Sequence, residues 1–474
     1  MKILFVIPKI FANYPGALNP HLGVGYLTAV LLRNQINVKI IDMQLGYKFE
    51  HLSKVIHGYK PDLIGVTMFS FSFIETYKLI DRIKSVAKCP VVVGGCHVSS
   101  FRKTVLEDCK ADFAVHGEGE RTIIRLCKAL NKKKKTLREI DGLIYRIGNK
   151  IIENKPAKLI ENLDELPFPA YEKFELKKYS YYIDKRLPIT TSRGCPFLCV
   201  YCSANLTVGR GFRPRSPENV LAEIEHWCKI GFKVFEFVDD CFNFDMARAK
   251  RICDLIIERK LKIEWRCGNG IRADRVDEGL LKKMKKAGCT FTSYGLESGN
   301  PEVLKEMKKA ITLKKAVETF KLTKKVGLTF AVNFIIGHKN ETYEKAMDSV
   351  RFASKIPADY VNFHNMMPYP GTELYDYIKR NGRFILPAAR YLTDTATKVE
   401  RPVFETPEFN LEERERVLKK AMALTRKTHL RCRLGLLSSI LWPLVKNEKV
   451  WHLSRRFVMG TTIGRKAFNL LRVS

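Results

Sequence analysis

Three closely spaced cysteines constrain the fold and the chemistry of this chain more than any other feature. Cys195, Cys199 and Cys202 follow the spacing C-x3-C-x2-C, which puts three thiolates on one short loop. Thiolates hold iron–sulfur clusters, and a 4Fe-4S cluster usually takes four of them. The next cysteine, Cys228, lies in a predicted helix, so one iron would stay open to a small molecule. A zinc site and a chance grouping of cysteines are the alternatives.

The first part of the chain alternates short apolar runs with helical patterns, which predicts a parallel sheet covered by helices on both faces. Ligands of such sheets bind at the carboxyl ends of the strands. Small and polar residues follow several of these strands, in the loops 68–72, 94–97 and 117–120. The predicted strands are 3–7, 38–43, 63–67, 90–94 and 113–115.

A second alternation begins near residue 186 and contains six strand–helix units, which predicts a partial, open α/β barrel. Catalytic groups of such barrels gather where the strands end, and the cysteine loop follows the first strand. The prolines Pro167 and Pro169 indicate a junction before it. With 474 residues the chain is long enough for several domains. We divide it into an N-terminal domain (1–131), a linker (132–185), the barrel (186–375) and a basic helical C-terminal region (376–474).

The segment from Thr191 to Cys202, Thr-Ser-Arg-Gly-Cys-Pro-Phe-Leu-Cys-Val-Tyr-Cys, resembles the cluster loop of the radical S-adenosylmethionine (radical SAM) superfamily. In that family SAM chelates the open iron through its amino and carboxylate groups. The resemblance implies that Asp239 and Asp240 help hold the ammonium group of SAM, although the usual Gly-Gly-Glu is replaced. It also implies that Glu297 accepts hydrogen bonds from the ribose and that Gly337 leaves room for adenine.

The N-terminal domain resembles the cobalamin-binding domain of the B12-dependent branch of the same family. The matching segments are 19–26, 94–97 and 116–120, and they make Gly94, Gly95, Gly117 and Glu118 candidate cobalamin residues. Glycines at strand ends let the backbone approach a large flat macrocycle. The Asp-x-His-x-x-Gly signature of cobalt-ligating domains is absent, and we interpret His97 as a structural loop histidine.

These resemblances imply a flavodoxin-like domain followed by a partial (β/α)6 barrel that uses a 4Fe-4S cluster, SAM and cobalamin. Reductive cleavage of SAM would give a 5′-deoxyadenosyl radical, and C-methylation of an unactivated carbon is the leading hypothesis. Radical oxidation, ring closure or carbon–carbon bond formation without methyl transfer is the alternative. A non-catalytic membrane- or nucleic-acid-associated protein is the hypothesis from another class, and it would not need an intact cysteine loop.

The cysteine content and the net charge bear on the cellular compartment of the protein and on its binding partners. Thirteen cysteines without a secretion signal indicate reduced thiols and a cytoplasmic location. The net charge of +33 is spread along the chain, and we find no nucleic-acid-binding motif.

Residues 416–474 form a basic tail, in which an apolar stretch, 434–445, contains Trp442. This composition is typical of a segment at an anionic membrane surface, although a helix packed on the barrel is an equal alternative. The expected partners are a small-molecule or lipid substrate and an electron donor such as flavodoxin or ferredoxin.

Overall fold

Two parallel sheets organise the protein, and each has helices packed against it. The structure is a computed structural model that describes residues 1–9, 19–131, 137–179, 186–393, 401–435, 437–446 and 450. Residues 451–474 of the basic tail lie outside the described part of the chain.

The N-terminal sheet has the strand order β2-β1-β3-β4-β5-β6-β7, and its first five strands are parallel. The order 2-1-3-4-5 is that of flavodoxin-like folds. Its strands are short apolar runs because both faces of a parallel sheet are buried. They are β1 (Lys2–Ile7), β2 (Asn37–Asp42), β3 (Leu63–Thr67), β4 (Val91–Gly94), β5 (Phe113–Val115), β6 (Leu143–Ile147) and β7 (Lys150–Glu153). The helices are α1 (Leu22–Arg33), α2 (Phe49–Tyr59), α3 (Phe73–Val86), α4 (Cys96–Phe101), α5 (Thr104–Asp108) and α6 (Glu120–Asn131).

The last two strands of this sheet come from the segment 132–185 that the sequence assigns to the linker. β6 pairs antiparallel with β5, and β7 pairs antiparallel with β6. Among the other described residues of this segment are three short 3-10 helices, Leu163–Glu165, Tyr171–Lys173 and Leu176–Lys178, and the Tyr171 hydroxyl donates to Pro188 O of the barrel.

The second sheet contains six parallel strands in the order β8-β11-β12-β13-β14-β15. Its described edges, β8 and β15, do not pair with each other, so the barrel is open. This confirms the predicted α/β fold class. The strands of this sheet are β8 (Arg186–Ile189), β11 (Val234–Phe237), β12 (Glu264–Ile271), β13 (Cys289–Glu297), β14 (Thr329–Ile336) and β15 (Tyr360–Asn365). Outside it are the short strands β9 (Ser192–Arg193), β10 (Arg213–Pro214), β16 (Arg383–Phe384) and β17 (Phe404–Glu405).

Helices α7 to α17 follow in chain order and include the outer layer of the barrel. They are α7 (Ala204–Val208), α8 (Pro217–Lys229), α9 (Met246–Glu258), α10 (Glu278–Lys286), α11 (Pro301–Glu306), α12 (Leu313–Val326), α13 (Tyr343–Lys355), α14 (Glu373–Asn381), α15 (Ala388–Thr393), α16 (Leu411–Leu434) and α17 (Leu437–Val445). Two pairs of short strands, β9 with β10 and β16 with β17, are antiparallel.

Helix α16 covers the open edge strand β15. The hydroxyl groups of Thr425 and Thr428 accept hydrogen bonds from the backbone N–H groups of Phe363 and Val361, at 3.2 Å each. An uncovered edge strand would expose unpaired backbone groups. Most of the buried side chains of α16 are apolar, among them Val417, Leu418, Ala421 and Met422. Helix α16, although it belongs to the region 376–474, is therefore packed against the barrel.

We predict that Thr428→Val destabilises the barrel. Thr428 is 7% exposed, and valine has nearly the same shape but no acceptor for the Val361 N–H. An orphaned buried donor costs about 1–3 kcal/mol of unfolding free energy, which thermal denaturation followed by circular dichroism would report as a lower Tm. Thr428→Ser is the matched control because it retains the hydroxyl group. Equal Tm values for the valine and wild-type proteins would contradict this role.

Candidate active site at the junction of the domains

The cysteine loop begins directly after β9 and is fixed by backbone contacts. Gly194 has φ +84°, and a Cβ there would overlap the carbonyl oxygen of Gly211, so this position requires glycine. Farther along the loop, the Val200 N–H donates to Met307 O at 3.2 Å and Val200 O accepts from the Leu374 N–H at 3.0 Å. The loop is therefore held from both sides by segments that follow other strands of the barrel.

The three cysteines of this loop differ in exposure. Cys195 and Cys199 are half-buried and Cys202 is exposed. Desolvation of its thiol, together with the charges of Cys199 and Cys195, raises the pKa of Cys202 to about 11, so the three thiols interact electrostatically. Among the described residues no three Cys, His, Asp or Glu side chains form a ready-made metal site. Three soft thiols on one loop nevertheless suit an iron–sulfur cluster.

A fourth cysteine, Cys241, contacts this group. A hydrogen bond with Cys241 lowers the pKa of the Cys195 thiol to about 6, and the same bond raises the pKa of Cys241. Cys241 is buried and follows the acidic pair after β11. The spacing of the cysteines along the sequence does not indicate this contact, because the contact depends on the pairing of β11 with β8.

The two adjacent acids after β11 have different surroundings. Asp239 is 1% exposed, and its carboxylate accepts hydrogen bonds from the Thr191 N–H at 2.5 Å, the Ser192 hydroxyl at 2.9 Å and both threonine hydroxyls of 190 and 191. Asp240 is exposed and lines a cavity. One of its oxygens accepts from the Gly194 N–H at 3.1 Å. Asp239 therefore organises the turn before the cysteines, and Asp240 has carboxylate surface left for a ligand.

Glu297 ends β13 in a strained conformation. Its φ of +76° is unusual for a residue with a side chain, and a register irregularity of the β13–β14 pairing precedes it. Its carboxylate accepts a hydrogen bond from Lys309 Nζ at 2.8 Å, and both side chains are 10% exposed. Burial lowers the pKa of Lys309, but the charges of Glu297 and Cys199 outweigh it, so the pKa is raised overall. The candidate ribose ligand is thus linked electrostatically to the cysteine loop.

Gly337 follows β14 and has φ +105°, where a Cβ would lie 2.5 Å from Arg414 Nη1. Its N–H donates to Glu341 Oε2 at 2.6 Å, and its carbonyl oxygen accepts from Arg414 Nη1 at 2.9 Å. Arg414 belongs to α16, so the C-terminal helix supports this strand end.

A cavity of about 380 Å³ lies between the two domains. It is at the carboxyl ends of β1, β3, β4 and β5, which includes the point between β1 and β3 where ligands of flavodoxin-like folds bind. Gly94, Gly95 and Gly117 line it. At Gly95, with φ +120°, a Cβ would lie 2.7 Å from Met68 O, so a side chain is excluded. The exposed backbone of these glycines fits a large flat ligand such as the corrin of cobalamin.

Other cavity residues come from both domains. Arg193 and Ser192 of the barrel line the cavity together with His21, the N-cap of α1, and Tyr26 of α1. His21 accepts from the Val24 N–H at 3.1 Å, and burial lowers its pKa to about 4. A neutral imidazole therefore borders the cavity.

Glu118 joins the two domains. Its carboxylate pairs with Arg193 Nη1 at 2.8 Å and with Arg213 Nη1 at 2.8 and 3.0 Å, and it accepts the Ile160 N–H at 2.8 Å. Glu120 pairs with Arg193 Nη2 at 2.6 Å. Glu118 also borders the cavity, but most of its hydrogen-bonding capacity is used by the arginines.

His97 lies in the core of the N-terminal domain, as expected for a structural histidine. Its ring stacks on Phe73 and Phe101, with centroids 4.4 and 4.3 Å away. The ring nitrogens are within hydrogen-bonding distance of Tyr77 Oη and Ser70 Oγ.

Sequence reasoning did not find the roles of Arg193, Arg213 and Lys309. For Arg193, the charge pattern of the sequence contained an indication of its role. Arg193 lies in the cysteine segment and Glu118 and Glu120 in the segment 116–120, so opposite charges occur in two loops that both follow strands.

Three protein families match parts of this chain. Residues 189–353 match the radical SAM superfamily, residues 8–126 match the B12 binding domain, and residues 88–192 match the radical SAM N-terminal family.

Individual relatives cover most of the chain. An uncharacterized methyltransferase of Pyrococcus horikoshii is 34% identical over 89% of this chain and 91% of the relative. The anaerobic magnesium-protoporphyrin IX monomethyl ester cyclase of Cereibacter sphaeroides is 28% identical over 82% of this chain and 66% of the relative. The radical SAM methyltransferase TsrM of Kitasatospora setae, solved with cobalamin and a 4Fe-4S cluster, has a similar fold, with a TM-score of 0.71, 18% identity and coverage of 96% and 99%.

We predict that Asp239→Asn destabilises the turn that carries the cysteines. An amide cannot accept all the donors that converge on this carboxylate, and hydrogen bonds to charged groups contribute about 1.5–3 kcal/mol each. The expected result is a lower Tm and less iron bound after anaerobic reconstitution. Asp240→Asn is the matched control, with a Tm close to that of the wild type. A normal Tm and iron content in Asp239→Asn would contradict the structural role.

Proposed function

Since the chain belongs to the radical SAM enzymes that carry a B12-binding domain, we propose that it methylates an unactivated carbon of a small molecule or a lipid. The observation that carries this proposal is that the cavity of the N-terminal domain adjoins the cysteine loop. The glycine-lined cavity of the N-terminal domain is bordered by Ser192, Arg193 and Asp240, which surround the start of the cysteine loop. Methyl transfer requires a methyl donor and a substrate radical at neighbouring positions.

Membership in this family implies a 4Fe-4S cluster, SAM and cobalamin as cofactors. When bound, they would supply reductive cleavage of SAM to a 5′-deoxyadenosyl radical and a methyl group for the substrate. Cys195, Cys199 and Cys202 would hold the cluster. Gly94, Gly95 and Gly117 would form the surface under the corrin.

The residues proposed to hold SAM have distinct tasks. Asp240 would accept hydrogen bonds from the ammonium group, while Asp239 shapes the turn beside it. Glu297, oriented by Lys309, would accept the ribose hydroxyls. Gly337 would border adenine through its backbone, because the space beside its Cα is taken by Arg414. Together they would orient SAM and exclude water from the radical that it releases.

Radical ring closure without methyl transfer is the second candidate, because a relative that covers 82% of this chain is named a cyclase. The two candidates differ in what happens to the methyl group of SAM. Methylation consumes a second SAM and gives S-adenosylhomocysteine, whereas ring closure gives 5′-deoxyadenosine alone.

The proposed electron donor is a low-potential protein such as flavodoxin or ferredoxin. A net charge of +33 favours acidic partners.

We also propose peripheral contact with an anionic membrane through α17. Leu437 and Ile440 of this helix are 60% and 71% exposed, and the basic residues Arg431, Arg433 and Lys446 flank it. Exposed apolar side chains beside cations suit an anionic lipid surface. None of the helices in the described residues has the length and apolarity needed to cross a bilayer.

We predict that the cobalamin-loaded, reconstituted enzyme, given SAM with a deuterated methyl group and a strong reductant, forms both S-adenosylhomocysteine and 5′-deoxyadenosine. Mass spectrometry would detect both products and the label in bound cobalamin. Cys199→Ala should abolish 5′-deoxyadenosine formation, because one cluster ligand is lost.

Cys432→Ala is the matched control, since Cys432 is exposed on α16 away from the loop. Full 5′-deoxyadenosine production by Cys199→Ala would refute the cluster assignment. Turnover of SAM to 5′-deoxyadenosine without labelled cobalamin would favour ring closure.

We predict that the protein floats with phosphatidylglycerol vesicles in a density gradient and that truncation after Gly435 greatly reduces the floating fraction. This truncation retains α16, which the barrel needs, and removes α17 and the residues after it. Vesicles of neutral lipid serve as the control. Equal flotation of the truncated and full-length proteins would exclude α17 and the residues beyond it as the membrane contact.

A further inference from the structure

Four charged side chains with little exposed surface meet where the B12-binding domain contacts the barrel. The side chains of Glu118, Glu120, Arg193 and Arg213 are 4%, 7%, 12% and 10% exposed. The acids belong to the loop after β5 and the first turn of α6, and the arginines to β9 and β10. Each acid therefore faces a cation from the other domain.

The charges of this cluster are balanced only when the two domains are in contact. Arg193 and Arg213 are directly opposite each other in the β9–β10 pair, where two like charges would repel. Glu118 lies between them and compensates both. Arg193 uses its planar fork to bridge two carboxylates, with Nη1 on Glu118 and Nη2 on Glu120.

Arg193 is also connected rigidly to the cysteine loop. One residue, Gly194, separates it from Cys195, and that glycine has no room for a side chain and donates its N–H to Asp240. A displacement of Arg193 would therefore move Cys195.

The same arginine forms a wall of the cavity. Its guanidinium lies 5.0 Å from the ring centroid of Tyr26 on α1, and Arg193, Tyr26, Glu118 and Glu120 all line the cavity. One side chain thus contacts the region proposed for cobalamin and is two residues from the first cysteine.

We propose that Arg193 is a positioning residue that fixes the distance between cobalamin and the cluster. This inference rests on the proposed function, because it assumes that both cofactors bind. Arg193 acts through Glu118 and Glu120 on the side of the N-terminal domain and through the turn to Cys195 on the side of the barrel. This role does not require Arg193 to contact the atoms that react.

The test measures this distance directly in the holoenzyme. With cob(II)alamin and the one-electron-reduced cluster both paramagnetic, pulsed EPR reads their dipolar coupling, which depends steeply on separation. The wild type should give a single narrow coupling. Arg193→Gln should lose that single coupling and give a broad distribution, while iron content and bound cobalamin, read from absorbance, stay at wild-type levels.

Arg102→Gln is the matched control, because Arg102 pairs with Glu153 within the N-terminal domain. It should keep the wild-type coupling. Arg193→Lys keeps the charge but cannot bridge both carboxylates, so we expect an intermediate width.

An unchanged coupling in Arg193→Gln with both cofactors bound would overturn the positioning role and leave the proposed function standing. A wild-type protein that binds the cluster but no cobalamin would overturn both. If Arg193→Gln does not fold, Glu120→Gln decides the question, because it removes one of the two bridges and leaves Glu118 with its partners. It should also broaden the coupling, and a narrow wild-type coupling in Glu120→Gln would then reject the proposal.

Discussion

The arrangement of this molecule depends on a carboxylate held between two arginines. Glu118 of one domain compensates Arg193 and Arg213 of the other, and none of the three side chains is more than 12% exposed. Removing water from such groups costs several kcal/mol per ion, and the mutual attraction offsets this only with good geometry. Buried ion pairs are therefore weak contributors to stability, but an unpaired partner is strongly unfavourable. The pairing thus specifies one relative placement of the domains, and the cavity and the cysteine loop both take their positions from it.

Much of the fold was predictable because it depends on local patterns. Apolar runs alternating with helices define both sheets, and three cysteines define the centre of the site. The division of work between Asp239 and Asp240 was not predictable, because it depends on the donors that the turn 190–192 presents. Glu118 lines the cavity, but its arginine partners come from the other domain, which the sequence does not indicate. Sequence indicates which residues follow strands, whereas the directions of their side chains depend on tertiary packing.

The basic C-terminal region contains two helices with different roles, which its amino-acid composition does not separate. Residues 416–474 look uniform in charge, yet the structure separates α16 from α17. Helix α16 buries one face against β15 and supplies Arg414 to the end of β14, so its basic residues belong largely to the opposite, solvated face. Helix α17 has exposed leucine and isoleucine side chains. Net charge could not distinguish a helix that completes the barrel from one that is free to contact another surface.

The covering of β15 by α16 has a consequence for how the protein is made. Domains generally fold as units, beginning with the N-terminal one during synthesis. The first sheet needs no residue beyond Glu153, so it can form while most of the chain is still being translated. The barrel cannot bury its last strand until residues 411–434 have left the ribosome. The backbone of β15 therefore stays uncovered until these residues emerge, which makes that interval the period in which this strand can most easily pair with the edge strand of another chain.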